Sequence, residues 1–279
     1  MKNQTEIKLI NYLNDHWYLI QEDINQPIHA IASVTTKLGI ERKQFLERWR
    51  GEVGNKNADE KMYESQQKGK RIHHAFFVYL NGGTVIYQPW EHPVYSDEDI
   101  EKIKAESPMF FMLKNQDEMI DLWKLQKFEQ IVKPEIIATE RIVYSIPDNE
   151  AGTLDFAFKI KKGVYPVNGS KGLNIPETGI YIGDLKTGNQ VDEGAYSQIS
   201  VYAKCFSSLF DSPVAGGIIL HTSSKNRGGI EGLGALVKTS KELREYYQIY
   251  KSLASVWKAR NPNAGPKVMK FPSLIKKEN

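Results

Sequence analysis

A carboxylate and an ammonium separated by one residue, Asp184 and Lys186, close the run GIYIGDLKT at residues 179–187. The run reads as a strand, and strand side chains two apart share a face, so the acid and the amine stand side by side at its end. A carboxylate placed there can hold a hard cation while the ammonium sits near the water or phosphate oxygen that the cation polarises. Hydrolysis of a phosphoester is the chemistry this pairing suits. D-x-K on its own is common, however, and equally describes a solvated sheet edge with an incidental ion pair.

Other residues strengthen the chemical reading by their order along the chain. Upstream, AGTLDFAF carries Asp155 just after Gly152 and Thr153, and ERIVYSI opens on Glu140. Downstream, Gln198 and Tyr202 are four apart and share one helix face. Ordinary polar positions on a helix face are the alternative account of each of them. His73 and His74 fall near the middle of a long helical run, and by itself either is more readily a histidine hydrogen-bonded inside the fold than a metal ligand.

The elements that must position these side chains can be read from periodicity. Alternating runs predict strands over 136–146, 153–160 and 179–186, a helix over 192–210, strands over 214–222 and near 232–238, and a terminal helix over 240–260. This is an α/β arrangement around a mixed central sheet flanked by helices. Between the second and third strands, KKGVYPVNGSKGLNIPETG is rich in Gly, Pro and Asn and predicts an elongated hairpin turn or mobile loop.

The first 133 residues read as mainly helical. Ile7, Ile10, Leu13 and Trp17 predict an amphipathic helix over 5–20. ERKQFLERWRGEVG predicts a second, with Phe45, Leu46 and Trp49 inward, Trp49 as a core anchor, and Arg42, Arg48 and Arg50 outward. A third runs over 57–83 to a glycine stop, a short one is capped by Ser96, and a long one covers 108–132. Residues 134–260 form the α/β core and 261–279 a tail, disordered after Pro266. The whole is one domain.

Composition sets broad bounds. With 279 residues and 41% hydrophobic content the chain can bury a full core. Its 37 basic and 34 acidic residues nearly cancel, which excludes the extreme basicity of a nucleic-acid coating protein. The clusters Lys68, Lys70, Arg71 and Lys159, Lys161, Lys162 can touch phosphates or simply form solvated faces. A single cysteine, Cys205, excludes an intramolecular disulfide and a four-cysteine metal or iron–sulfur site, and reads as a small core residue. No run approaches membrane-spanning length and no G-x-x-x-x-G-K phosphate loop occurs, so a soluble, cytoplasmic protein without a nucleotide cofactor is expected.

The ordered set Glu140, GTLD with Asp155, DLK with Asp184 and Lys186, then Gln198 and Tyr202 resembles the PD-(D/E)XK nuclease superfamily, in its RecB-like exonuclease branch. VTTKLG, WRGEVG and GKRIHH resemble the opening of phage exonucleases and of the mitochondrial genome-maintenance exonuclease. The resemblance implies a restriction-endonuclease-like core and hydrolysis of DNA at ends or single strands, in recombination, replication or repair of a bacterial or phage-infected cell. It implies one or two Mg²⁺ or Mn²⁺ ions held by Glu140, Asp155, Asp184 and the Leu185 carbonyl. A histidine four residues after Gly69 completes the site, which favours His73 over His74. Lys186 orients the attacking water and supplies charge, and Gln198 and Tyr202 position the lysine or the scissile backbone. The implied partners are DNA and a single-strand-annealing or recombination protein. A catalytically silent DNA-binding module and a structure-selective endonuclease are the alternative readings.

Overall fold

The computed structural model describes residues 5–12, 15–41 and 44–266. In chain order the elements are strands β1 (Glu6–Tyr12), β2 (Asp15–Gln21) and β3 (His29–Ala32), then helices α1 (Val34–Leu38), α2 (Gln44–Val53) and α3 (Asn55–Leu80). Next come β4 (Thr84–Tyr87), α4 (Asp97–Glu106), β5 (Phe110–Leu113) and α5 (Gln116–Val132). The second half contributes β6 (Glu135–Ser145), β7 (Glu150–Ile160), β8 (Gly163–Tyr165), β9 (Leu173–Ile175) and β10 (Gly179–Lys186). It ends with α6 (Glu193–Phe210), β11 (Val214–His221), β12 (Gly234–Thr239) and α7 (Ser240–Arg260).

The central sheet has the order β12-β11-β10-β7-β6. Strands β10 and β11 are parallel, joined through α6 as parallel neighbours require, and the other pairs are antiparallel. The sheet is therefore mixed and is flanked by helices on both faces. Strand alternation divides the core accordingly. Phe156, Phe158, Tyr181 and Leu185 pack with Ile72 and Phe76 of α3 and Leu125 and Phe128 of α5. Ala157, Ile182 and Ile219 pack with Ile199, Tyr202 and Phe206 of α6 and Leu243 and Tyr250 of α7. Residues of β10 at even positions thus face α6, which aims Asp184 and Lys186 at the same helix, as the two-residue period requires.

The N-terminal region differs from its sequence reading. Residues 6–12 and 15–21 form an antiparallel strand pair, β1 with β2, extended by β3, in place of the predicted helix. The β-branched and aromatic residues Ile7, Ile10, Trp17, Tyr18 and Ile20 suit a pleated surface, and Tyr18 and Ile20 bury against Tyr144 and Ala151 of the central hairpin. Tertiary packing overrides the helical spacing. Leu13, Arg42 and the Phe45 side chain lie outside what is described, as does the tail from residue 267. Trp49 is half-buried and belongs to none of the buried clusters, so it is no core anchor. The long helix read over 108–132 is in fact β5, paired in parallel with the unforeseen β4, followed by α5 alone. The run Phe110–Leu113 is too short and too uniformly apolar for its period to separate strand from helix.

The Gly- and Pro-rich stretch forms an ordered hairpin, β8 with β9, rather than a mobile loop. Asn168 exchanges two hydrogen bonds with Ala235 of β12, and the Asn226 amide donates to the carbonyls of Val167, Ile230 and Leu233. Elsewhere, Ser96 caps α4 in a capping box and Thr239 does the same for α7. Cys205 is buried on α6. Among the described residues no helix is long and apolar enough to cross a membrane.

Two glycines let the site-bearing strands pack. A Cβ on Gly183 would lie 1.7 Å from Phe156 Cε2, and one on Gly152 would lie 2.2 Å from Tyr202 Cε1. Gly183→Ala is expected to destabilise the fold by about 1–3 kcal/mol through overpacking, whereas Gly188→Ala, which meets nothing within 4 Å, should not, with the urea midpoint as the measurement. Equal midpoints for the two variants would contradict the packing described.

Candidate metal centre

The centre forms where β6, β7 and β10 meet α3. Antiparallel register pairs Thr139 with Phe156 and Arg141 with Leu154, which sets Glu140 opposite Asp155. Like charges directly opposite across a strand pair are destabilising. Glu140 also has φ of +44°, in the left-handed region, which costs a residue with a side chain about 1–3 kcal/mol. The chain therefore accepts strain and repulsion to hold two carboxylates together.

His73 meets them from α3. Its Nδ1 lies 3.4 Å from Asp155 Oδ1, and its Nε2 lies 3.0 Å from the Leu185 carbonyl. Gly69, one turn earlier, brings the helix close to Thr187, whose Oγ1 would lie 3.1 Å from a Cβ there. His74 points elsewhere, its ring edge-on to Phe111 at 4.6 Å. Of the two histidines only His73 reaches the carboxylates.

Ligand atoms of His73, Glu140 and Asp155 all lie within 4.8 Å of one another. An ion about 2.2 Å from each ligand keeps those ligands within about 4.4 Å of one another, so the triad needs only small adjustments to share a cation. One nitrogen and two carboxylates make a donor set that could hold a divalent cation. The Leu185 carbonyl lies beside the triad through its contact with His73. Asp184 is not grouped with the triad: its Oδ2 is buried 2.7 Å from Lys186 Nζ and accepts no other hydrogen bond among the described residues.

The second half of the site is a chain of polar contacts toward α6. Lys186 Nζ donates to Gln198 Oε1 at 3.3 Å, and Gln198 Nε2 donates to the Tyr202 hydroxyl at 3.2 Å. The α6 helix is fixed at its start by Asp192, which caps Ala195 N–H. The β10–α6 turn is held by His221 Nε2 against the Gly188 carbonyl at 2.6 Å and by Ser223 Oγ donating to the Thr187 carbonyl at 2.9 Å. All six side chains of the ordered sequence set, with His73, thus line one region.

Protonation follows from these neighbours. Burial opposes the charge on His73, yet Asp155 above all, then Asp184 and Glu140, raise its pKa to about 9. Burial likewise opposes ionisation of Asp155, but His73, the Leu185 N–H at 2.7 Å and Lys186 hold its carboxyl below the usual range. Asp184 is pushed up by burial and by Asp155 against the pull of Lys186. Lys186 stays charged: desolvation is outweighed by Asp184 and Asp155. Burial drives the Tyr202 phenol well above its usual value. Glu140 is pushed to about 7, by desolvation first and then by Asp155.

Supporting residues without a sequence signal also emerge. Tyr18 of β2 lies 2.8 Å, hydroxyl to hydroxyl, from Thr153 beside the acid strand, a contact spanning 135 positions. The basic clusters are partly neutralised: Lys68 pairs with Asp117 and Asp121, Arg71 with Glu118, and Lys159 with Glu135. Lys70, Lys161 and Lys162 are exposed.

With chelator present, Glu140→Gln is expected to stabilise the protein at alkaline pH. The wild-type carboxyl has a folded pKa near 7 against 4.5 for a free one, so between these values the folded chain holds a proton that the unfolded chain has lost. Stability therefore falls as pH rises through that window. After discounting for the exposure of Glu140, the variant should gain about 1 kcal/mol above pH 7 and nothing near pH 4, by urea unfolding. Added Mn²⁺ should stabilise wild type and leave the variant's midpoint nearly unchanged. A variant less stable than wild type at pH 8 in chelator would refute the electrostatic assignment.

Neither a scan of protein-family models nor a search of curated proteins finds a match to this chain, so the reading of the centre rests on its own residues and geometry.

Proposed function

We propose that the chain is a metal-dependent nuclease that hydrolyses DNA phosphodiester bonds, acting as an exonuclease on ends or single strands. The observation that carries the reading is the convergence of His73, Glu140 and Asp155 within 4.8 Å beside a charged lysine. The order of strands supports a restriction-endonuclease-like core and a single nuclease domain: acid-bearing β6, β7 and β10 are followed by α6 and the parallel strand β11.

His73, Glu140 and Asp155, with the Leu185 carbonyl alongside, would hold Mg²⁺ or Mn²⁺. Such an ion supplies Lewis-acid polarisation of a phosphoryl oxygen and neutralises developing charge. Lys186 acts as a cation: Asp184 keeps its ammonium protonated and aimed, so it orients water and stabilises the phosphorane-like charge rather than accepting a proton. Gln198 fixes the ammonium from the helix side, and Tyr202, wedged over Gly152, fixes Gln198. Contacts of this kind position a backbone phosphate without reading sequence.

The test compares end-labelled linear, closed-circular and single-stranded DNA, and an RNA strand, in Mg²⁺, Mn²⁺ and chelator. Metal-dependent loss of linear and single-stranded DNA with circles intact is expected. Lys186→Ala should lower kcat about 10²–10³-fold and Asp155→Asn should abolish turnover, with DNA binding kept. Nicked circles would favour an endonuclease, and undiminished hydrolysis by Lys186→Ala would remove the assignment.

A further inference from the structure

We infer that a single nucleic-acid strand reaches the carboxylates along the groove between the N-terminal strand pair and edge strand β6, with Arg141 binding a backbone phosphate and Phe210 stacking a base. The inference rests on the nuclease reading and names the path of its substrate.

The groove encloses about 520 Å³, and its walls include Ile7 of β1, Glu140, Arg141 and Tyr144 of β6, and Leu209 and Phe210 at the end of α6. That volume lies within the range of binding clefts, about 300–1,000 Å³. Glu140 belongs both to this wall and to the metal triad, so a strand lying in the groove brings its phosphates to the carboxylates. Continuity with the centre distinguishes this groove from the one beside Trp90, which none of the triad lines.

Its chemistry is that of a single-strand track. The Arg141 guanidinium sits 5.5 Å from the Phe210 ring centroid. Phe210 is 41% exposed, with Phe206 packed behind it at 4.6 Å to steady the ring. Arg141 is exposed, and the contact of its side chain within the described residues is the one with the Phe210 ring. Several other cations are committed, Arg50 to Asp59, Arg71 to Glu118, Lys124 to Asp121 and Lys204 to Asp148, and the exposed Lys70, Lys161 and Lys162 do not line this groove. A guanidinium over an open aromatic face, next to a phosphate-cleaving centre, matches the pairing of charge and stacking that holds single strands.

The test is fluorescence anisotropy of the full chain with labelled DNA and RNA oligonucleotides of about 12 nucleotides, in chelator so that nothing is cut. Arg141→Ala should weaken binding about tenfold and reduce the slope of log affinity against log salt by about 0.7, the signature of one lost phosphate contact on a single strand. Phe210→Leu should weaken binding about tenfold with the slope unchanged, and Arg141→Lys should restore the slope. Both positions are accessible enough for the melting temperature to stay at the wild-type value. Loss of this kind in either the DNA or the RNA arm supports the path. Affinity unchanged in both variants, while Lys186→Ala abolishes hydrolysis, overturns the path and leaves the nuclease standing. Arg141-dependent binding without any hydrolysis keeps the path and rejects the nuclease. A change in self-association in place of oligonucleotide affinity makes the groove a protein contact and overturns the inference.

Discussion

Two carboxylates that repel one another are held face to face across a β-ladder, and the rest of the site answers that repulsion. Glu140 and Asp155 oppose each other because the register of β6 and β7 leaves no alternative, and Glu140 adopts a left-handed backbone to stay there. In the metal-free state the protonated His73 supplies the compensating charge from α3. A proton on His73 and a divalent cation among the three side chains solve the same electrostatic problem, and the imidazole must be neutral to serve as a ligand. The arrangement is poorly suited to stability alone. A pair replaced by apolar residues would cost less.

The surrounding fold makes such an arrangement rigid. The sheet is packed on both faces, so the acid-bearing strands cannot slip without moving every side chain to the wrong face. Helix α3 delivers His73 and stays close to β10 because Gly69 has no side chain. Helix α6 delivers Gln198 and Tyr202 from the opposite face, and Gly152 makes room for the phenol ring. The histidine thus comes from the α3 layer while the sheet's amine is held from the α6 layer, with Asp184 and Asp155 linking them electrostatically.

Part of the centre was legible in the sequence because some of its motifs are local, although its contacts are long-range. The D-x-K pair follows from strand period alone, and the strands and helices from 135 onward fall close to the predicted limits because their hydrophobic patterns are long and unmixed. His73 could be chosen over His74 only through a resemblance, and in the structure it is His73 that lies beside Asp155. What could not be read depends on distant partners. Strands β1 and β2 form where a helix was expected because Tyr18 and Ile20 find Tyr144 and Ala151 across more than a hundred positions. The apolar residues of β5 acquire strand pairing only from β4, and Asp184's commitment to Lys186 rather than to the triad is a matter of side-chain direction.

The most direct measurement is anomalous diffraction from crystals grown with Mn²⁺. The account predicts a peak about 2.2 Å from ligand atoms of His73, Glu140 and Asp155, with Lys186 unliganded beside it. A map with no peak at this position, or with Mn²⁺ bound only to other residues, would contradict it.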